Sequence, residues 1–516
     1  MNKRIAALIA LILALCLSLS CAGLAETANR NETDEVAIAT YRDAIQGSGD
    51  AYYCWEGAYV WEALTRNNGG VIEPWLAESW EHNEDCTVWT FHLRQDAYFT
   101  DGQQFNADVC LANIARWGHG LTSTYTTLSI EKSFPNLTEM KKVDEFTVEF
   151  DFSVPITTLE YVLSDYGSPM YSTNCFDPET GVIADYAVGT GPYRIIDHVE
   201  DEYVLLERND GYYDAPGKVK TIRIRCIPDA ETRYSALVSG EVMGLADNGA
   251  ITMDAAVNLC ATNDSFAMDI TPSHMTEYIV FNCANEYLSD VRLRQAMSYA
   301  IDRETVCNAL YGGILEPAYS FLSTQSVFHK DIQGEYDPEK AAALAKEVLG
   351  DQTIELRLVV RSSSVGDYNL KAVAEYLQQV YAGLGINVTI EILDSTVYND
   401  RRKEGSYEMN LTVFGINNAD PTSTFQSYFT PTGSQNGVYN QNYQNDKIDE
   451  LVALAPTLAD VEERSKVYDE LQDICYEEMA IIPICYQVNV NIHNVAIENY
   501  AGRTFGVGLP TIEWAD

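Results

Sequence analysis

The seven histidines are the residues best suited to acid–base or metal chemistry: His82, His92, His119, His198, His274, His329 and His493. No two fall in the H-E-x-x-H spacing that puts two imidazoles on one helical face, so a zinc-protease site is excluded. Of twelve cysteines, Cys16 and Cys21 lie within the first 25 residues. The other ten are scattered singly without a C-x-x-C pair, against a zinc ribbon or a thioredoxin-type site. A strained G-x-S-x-G nucleophile turn and a G-x-x-x-x-G-K-[ST] phosphate loop are both absent. Gly189-Thr190-Gly191 is followed by Pro192 and a strand. A dinucleotide fingerprint needs a third glycine and a helix there, so the reading is a tight turn. Carboxylate pairs carry no information among 76 acidic residues. No catalytic set emerges, and neither a cofactor nor a bound metal is implied.

The net charge of −43, from 33 basic and 76 acidic residues, repels nucleic acid and anionic lipid. It reads as a solvated surface; a cationic ligand is the functional alternative. The chain opens with Lys3 and Arg4, an apolar run Ile5 to Leu19 and small residues Ser20 to Gly23. That is a secretory signal, expected to occupy residues 1–25. Leu19-Ser20-Cys21-Ala22 resembles a lipobox, making Cys21 a candidate for lipidation. Gly23-Leu24-Ala25 equally suits ordinary cleavage before Glu26. Both stay open. The expected location is extracytoplasmic, in the periplasm or on the outer face of the cell membrane.

The chain's 516 residues exceed one core. Alternating apolar positions predict strands at 87–94, 203–209, 220–225, 354–360, 386–392 and 481–490. Helices are expected from Asn106, over 230–239 and 290–301, after Asp302, from Asp337-Pro338 to Leu349, over 368–382, and through Val467 to Cys475. The β-α-β unit at 354–392 requires a parallel sheet. The class is α/β.

Four blocks carry a family resemblance. The first is Trp61-Glu62-Ala63-Leu64, Pro74 to Trp80, Phe91-His92-Leu93-Arg94, Phe99, Asp101-Gly102 and Phe105 to Val109. The second is Gly189 to Tyr193. The third is Phe281-Asn282 with Val291 to Arg303, and the fourth Tyr336 to Ala341. In this order they resemble the extracytoplasmic solute-binding proteins of peptide and nickel ABC importers, over essentially the whole chain after the signal. The residues in these blocks read mainly as core and helix-face positions. Asp85-Cys86 stands where the family usually has Asp-Gly, which strains the turn if φ is positive at Cys86.

The resemblance implies a type II periplasmic-binding-protein fold of the peptide-binding subclass. Lobe I is expected at about 36–275 plus 488–516, with an inserted subdomain near 65–170, and lobe II at 276–487. It implies no enzyme but a monomeric receptor that captures a peptide or similar solute. Its partners would be the permease and, through it, the ATPases of an importer. A nickel chelate, an oligosaccharide, a sensory role and an enzyme on this scaffold remain alternatives.

The resemblance also implies the site. Phe414-Gly415-Ile416-Asn417-Asn418-Ala419-Asp420-Pro421 is similar to the family's loop at the cleft floor. Peptide receptors carry an Asp four residues before the Pro, facing the peptide ammonium. Here that position is Asn417, which offers no compensating charge; Asp420 is the remaining carboxylate. Phe414 and Gly415 would face the solute, and Arg402 would clamp a carboxylate. Tyr52, His274, Met275 and Tyr439, with its neighbour Asn440, complete the candidates.

Overall fold

The computed structural model describes residues 29–44, 59–68, 71–119, 121–122, 127–128, 130, 134, 136–164, 168–183, 185–247, 249–416, 420–503 and 506–515. The signal segment, Cys21, Tyr52 and Asn417 lie outside these residues.

The principal elements in chain order begin with β1 (Glu35–Thr40), β2 (Ala77–His82), β3 (Val88–Leu93), α1 (Ala107–Arg116), β4 (Leu137–Asp144), β5 (Thr147–Phe152) and α2 (Leu159–Val162). Next come β6 (Tyr193–Val199), β7 (Tyr203–Arg208), β8 (Thr221–Cys226), α3 (Ala230–Ser239), β9 (Gly244–Leu245), β10 (Phe266–Phe281), α4 (Val291–Tyr299) and α5 (Pro338–Leu349). The last are β11 (Ile354–Arg361), α6 (Leu370–Ala382), β12 (Ile386–Leu393), α7 (Ser395–Lys403), β13 (Met409–Gly415), α8 (Thr422–Phe429), α9 (Val461–Glu478) and β14 (Ile481–Asn494).

The helices start where short polar side chains can satisfy free N–H groups. Asn106 caps α1 by accepting from the Val109 N–H, and Asp290 caps α4 by accepting from Arg292. Asp337 accepts from Lys340 ahead of Pro338, and α5 stops at Gly350 with φ +64°.

Eleven described strands form one sheet, in the order β6-β7-β8-β1-β9-β14-β10-β13-β11-β12, with Glu316–Pro317 pairing on β14. β11 and β12 are parallel neighbours in full register, Ile354 opposite Ile386, as the β-α-β reading requires. A separate four-stranded sheet, β2-β3-β5-β4, is the body of the inserted segment.

Three large apolar cores result. One runs from Tyr278 to Cys485. A second joins Val36, Ile222 and Ile224 to Tyr500 and Ile512. The third, from Leu64 to Met170, covers the inserted sheet. β10 and β14 belong to more than one: Phe266 and Ile492 lie in a smaller cluster with Ala39, while Phe281 and Ile482 lie in the first core. The β10–β14 pairing shifts register between Pro272 and Thr276 and again before Tyr278. There Ser273 Oγ accepts the Met275 N–H at 3.2 Å, satisfying a backbone donor beside the irregularity.

The family-like blocks have structural roles. Glu62 is fully buried, with Tyr212, Tyr213 and Thr190 hydroxyls donating to it at 2.7, 2.8 and 2.7 Å. Burial pushes its carboxyl above the usual range. The glycines of Gly189-Thr190-Gly191 do not need a positive φ. A Cβ on Gly189 would lie 1.9 Å from the Val60 carbonyl oxygen, and one on Gly191 2.6 Å from that of Tyr59. The pattern expected as a tight turn is therefore a close backbone crossing. Cys86 does take φ +52°, the left-handed region, where its Cβ is unfavourable. Arg292 pairs with Asp290 at 2.7 Å on the surface. Arg294, read as a helix-face ion pair like Arg292, pairs with Glu478 at 3.3 Å, and it is buried, also donating to the Leu288 and Ser289 carbonyls.

Gly189→Ala should lower unfolding free energy by about 1–3 kcal/mol, the usual overpacking cost, in urea titration. Gly102→Ala, which meets nothing within 4 Å, should lose only what its φ of +91° demands. A neutral Gly189→Ala would refute the crossing account.

Candidate functional site

β13 lies between antiparallel β10 and parallel β11, so its carboxyl end sits beside the β10 irregularity. Met275 is opposite Gly415 and Thr276 opposite Phe414. A Cβ on Gly415 would lie 2.3 Å from His274 Cδ2 and 2.8 Å from Met275 Sδ. The imidazole and thioether therefore rest on the Gly415 backbone, and any other residue would displace them. Open α/β sheets bind ligands at such carboxyl strand ends.

Phe414 is the middle ring of a stack. Tyr278 lies on one side with centroids 4.2 Å apart, and Tyr428 from α8 on the other at 4.4 Å. Each aromatic pair contributes about 0.5–1.5 kcal/mol beyond its buried area. Tyr278 is held by donating to the Phe321 carbonyl at 2.6 Å.

Two titratable groups on β10 are shifted by burial in opposite senses. His274 is pushed down to about 4 and so is uncharged at neutral pH. Glu277, fully buried, is pushed up to about 8, with the Tyr311 hydroxyl the opposing influence. Tyr311 Oη is 2.9 Å from Glu277 Oε2 and 2.6 Å from the Tyr368 carbonyl. A hydroxyl has one proton to donate. Tyr311 therefore donates either to Glu277 or to the Tyr368 carbonyl, not to both at once.

Asp420 Oδ1 accepts from the Thr422 N–H at 2.9 Å and the Tyr468 hydroxyl at 2.8 Å, so the carboxylate is oriented by α8 and α9. Arg402 is buried. Its Nη2 donates to Gln435 at 2.5 Å, and its guanidinium lies over the Tyr439 and Tyr398 rings at 4.4 and 5.3 Å. The Asn440 side chain donates to the Arg402 and Lys403 carbonyls, a loop-anchoring use of that residue.

The structure thus gathers His274, Met275, Phe414 and Gly415 at one strand end, orients Asp420 beyond it, and places Arg402 with Tyr439 in a neighbouring layer. Sequence reading missed three contributors. Arg361 ends β11 and lies over the Tyr398 ring at 4.9 Å; its signal was the strand-to-helix junction at Ser362. Tyr278 and Glu277 carried no sequence signal, because their significance is burial. Among the described residues no group of three or more His, Cys, Asp or Glu is gathered to hold a metal ion.

The model of the bacterial extracellular solute-binding proteins, family 5, matches residues 71–436. The chain belongs to that family. The heme-binding protein A of Haemophilus influenzae is 27% identical over 84% of this chain and 82% of its own. The dipeptide-binding protein of Escherichia coli is 25% identical over 80% and 81%. In fold, the ABC transporter substrate-binding protein CtaP from Listeria monocytogenes superimposes with a TM-score of 0.80 and 21% identity, covering 93% of this chain and 99% of that one. The protein is therefore the non-enzymatic, extracytoplasmic solute-binding component of an ABC importer, with a solute and a permease as partners. No helix among the described residues is long and apolar enough to cross a membrane.

Two outcomes follow from the β10 titrations. The His274 ring should show no NMR titration between pH 5 and 8; a midpoint near 6.5 would contradict its burial. For Glu277 the folded value lies above the ordinary 4.5. The folded state then holds more protons than the unfolded chain between pH 4.5 and 8, so its contribution falls as pH rises through that window. Glu277→Gln should therefore gain stability relative to the wild type on going from pH 5 to 8. A pH-independent difference in urea midpoints would overturn this.

Proposed function

We propose that the chain captures a peptide or similar small solute between two lobes and hands it to the membrane permease. The observation that carries this reading is the placement of His274, Met275, Phe414 and Gly415 at the carboxyl end of β13, beside the break in β10–β14 pairing. Lobe I would comprise about 36–275 plus 488–516, and lobe II 276–487. The two long strands would be the hinge, closing around solute. The aromatic stack gives an apolar wall with polar tips, the uncharged His274 an imidazole for hydrogen bonding, and Arg361 or Arg402 a guanidinium for a carboxylate. The dipeptide-binding relative supports the peptide class. A metal chelate is the second reading, favoured by a neutral imidazole next to a thioether, both able to meet a metal.

The test is a thermal-shift screen of the chain from residue 26 against short peptides, metal chelates, heme and oligosaccharides. A ligand at a hundred times its dissociation constant adds about 2.7 kcal/mol. Peptides should raise the midpoint by a few degrees, and Phe414→Ala should abolish the rise while retaining a cooperative melt. A shift with chelates alone would replace the peptide reading by the second one.

A further inference from the structure

Two thiols 178 residues apart in the chain meet inside the first core. Cys307 Sγ and Cys485 Sγ are 3.2 Å apart, and the residues are 1% and 0% exposed. Among the described residues this is the one pair of cysteine sulfurs in contact. Each cysteine is held by its own element. Cys307 lies in the π turn Val306–Leu310 that follows α4, and its carbonyl accepts the Gly313 N–H at 3.0 Å. Cys485 lies on β14 opposite Pro317, where the carbonyl of its neighbour Ile484 accepts the Ala318 N–H at 2.9 Å. A disulfide holds its sulfurs at about 2.05 Å, so bonding asks each sulfur to move by roughly 0.6 Å. Side-chain rotation of that size needs no new backbone path.

We propose that Cys307 and Cys485 form a disulfide that ties the turn after α4 to β14. An extracytoplasmic protein meets the oxidising conditions in which such bonds form and persist. The oxidant is an external disulfide, carried by a small thiol or by an oxidoreductase. One cysteine thiolate attacks it and expels one thiol. The second cysteine attacks the resulting mixed disulfide and expels the other. Two electrons and two protons pass from the cysteines to the external pair, which ends as two thiols. This exchange belongs to the folding chain. In the folded protein both sulfurs are buried, and the Cys307 thiol, burial and the Glu277 charge together hold the Cys485 thiol well above its ordinary range. The nucleophile in exchange is the thiolate, so the closed core neither makes nor breaks the bond readily. The bond closes a loop of 178 residues, reaching from before α5 to the start of β14, and limits the freedom of the unfolded chain over that length. It also fixes β14 one residue before Tyr486, which faces Thr276 at the β10 irregularity. The strand that leaves this core for the second is thereby anchored at its point of departure.

The experiment maps thiols in the full chain, expressed with its N-terminal segment, purified without reductant and refolded in oxidised and reduced glutathione. Free thiols are blocked with iodoacetamide in guanidinium; the protein is then reduced, labelled with N-ethylmaleimide, digested with trypsin and sequenced by mass spectrometry. Cys307 and Cys485 should carry only the second label. Cys475, which shares the tryptic stretch 467–503 with Cys485, should carry the first. In Cys485→Ser, Cys307 should move to the first label. The unreduced wild type should melt about 5 °C above the same protein reduced in denaturant and refolded with dithiothreitol. The double variant Cys307→Ala, Cys485→Ala should melt alike under both conditions. The first label on Cys307 and Cys485 in the unreduced wild type overturns the proposal, as does a bond from either one to a different cysteine. Equal wild-type midpoints with and without reductant overturn the anchoring role.

Discussion

Everything else in this structure hangs on the antiparallel pairing of β10 with β14. Both strands run from one apolar core into another, so their backbone groups must stay paired while the side chains change partners. The pairing holds from Phe266 opposite Asn494 to Val280 opposite Ile481, except at Pro272–Tyr278. Pro272 has no N–H to offer the ladder, and Ser273 takes up the Met275 donor with its hydroxyl. The interruption lies where the cores meet, and the candidate site is built on it.

That placement explains the chemistry gathered there. β13 is the strand next to the interruption, and its Gly415 admits His274 and Met275 onto the backbone. Its Phe414 inserts between Tyr278 and Tyr428, tying β10 to α8. The buried ionisable groups of this stretch of β10 are both held neutral near pH 7. A receptor whose surface is strongly acidic thus keeps this part of its interior uncharged. The charged groups, Asp420, Arg361 and Arg402, come from the ends of elements, where side chains meet other secondary structure before they meet the core.

Polar contacts help to join the inserted and main bodies, beside the packing of Val188 and Tyr213 against the inserted core. Glu62 ties the root of the insertion to Tyr212 and Tyr213 through charge-assisted hydrogen bonds. Thr157 and Arg464 join its far side to α9.

The sequence by itself determined the family, the α/β class and the capped helices and period-2 strands named at the outset. Asn106, Asp290 and Asp337 start helices wherever they occur in such a pattern, because capping is local. The period-2 runs at 354–360 and 386–392 define strands for the same reason. It also placed Phe414, Gly415, His274 and Asp420 on record as chemistry-bearing residues. What it left open required distance. The glycines of Gly189-Thr190-Gly191 are explained by a backbone crossing over a hundred residues upstream, and Arg294 by carbonyls it can reach only once α4 has packed. Glu277 and Tyr278 look like ordinary strand residues in the chain. Tertiary structure alone decided their burial, and burial is what sets their ionisation.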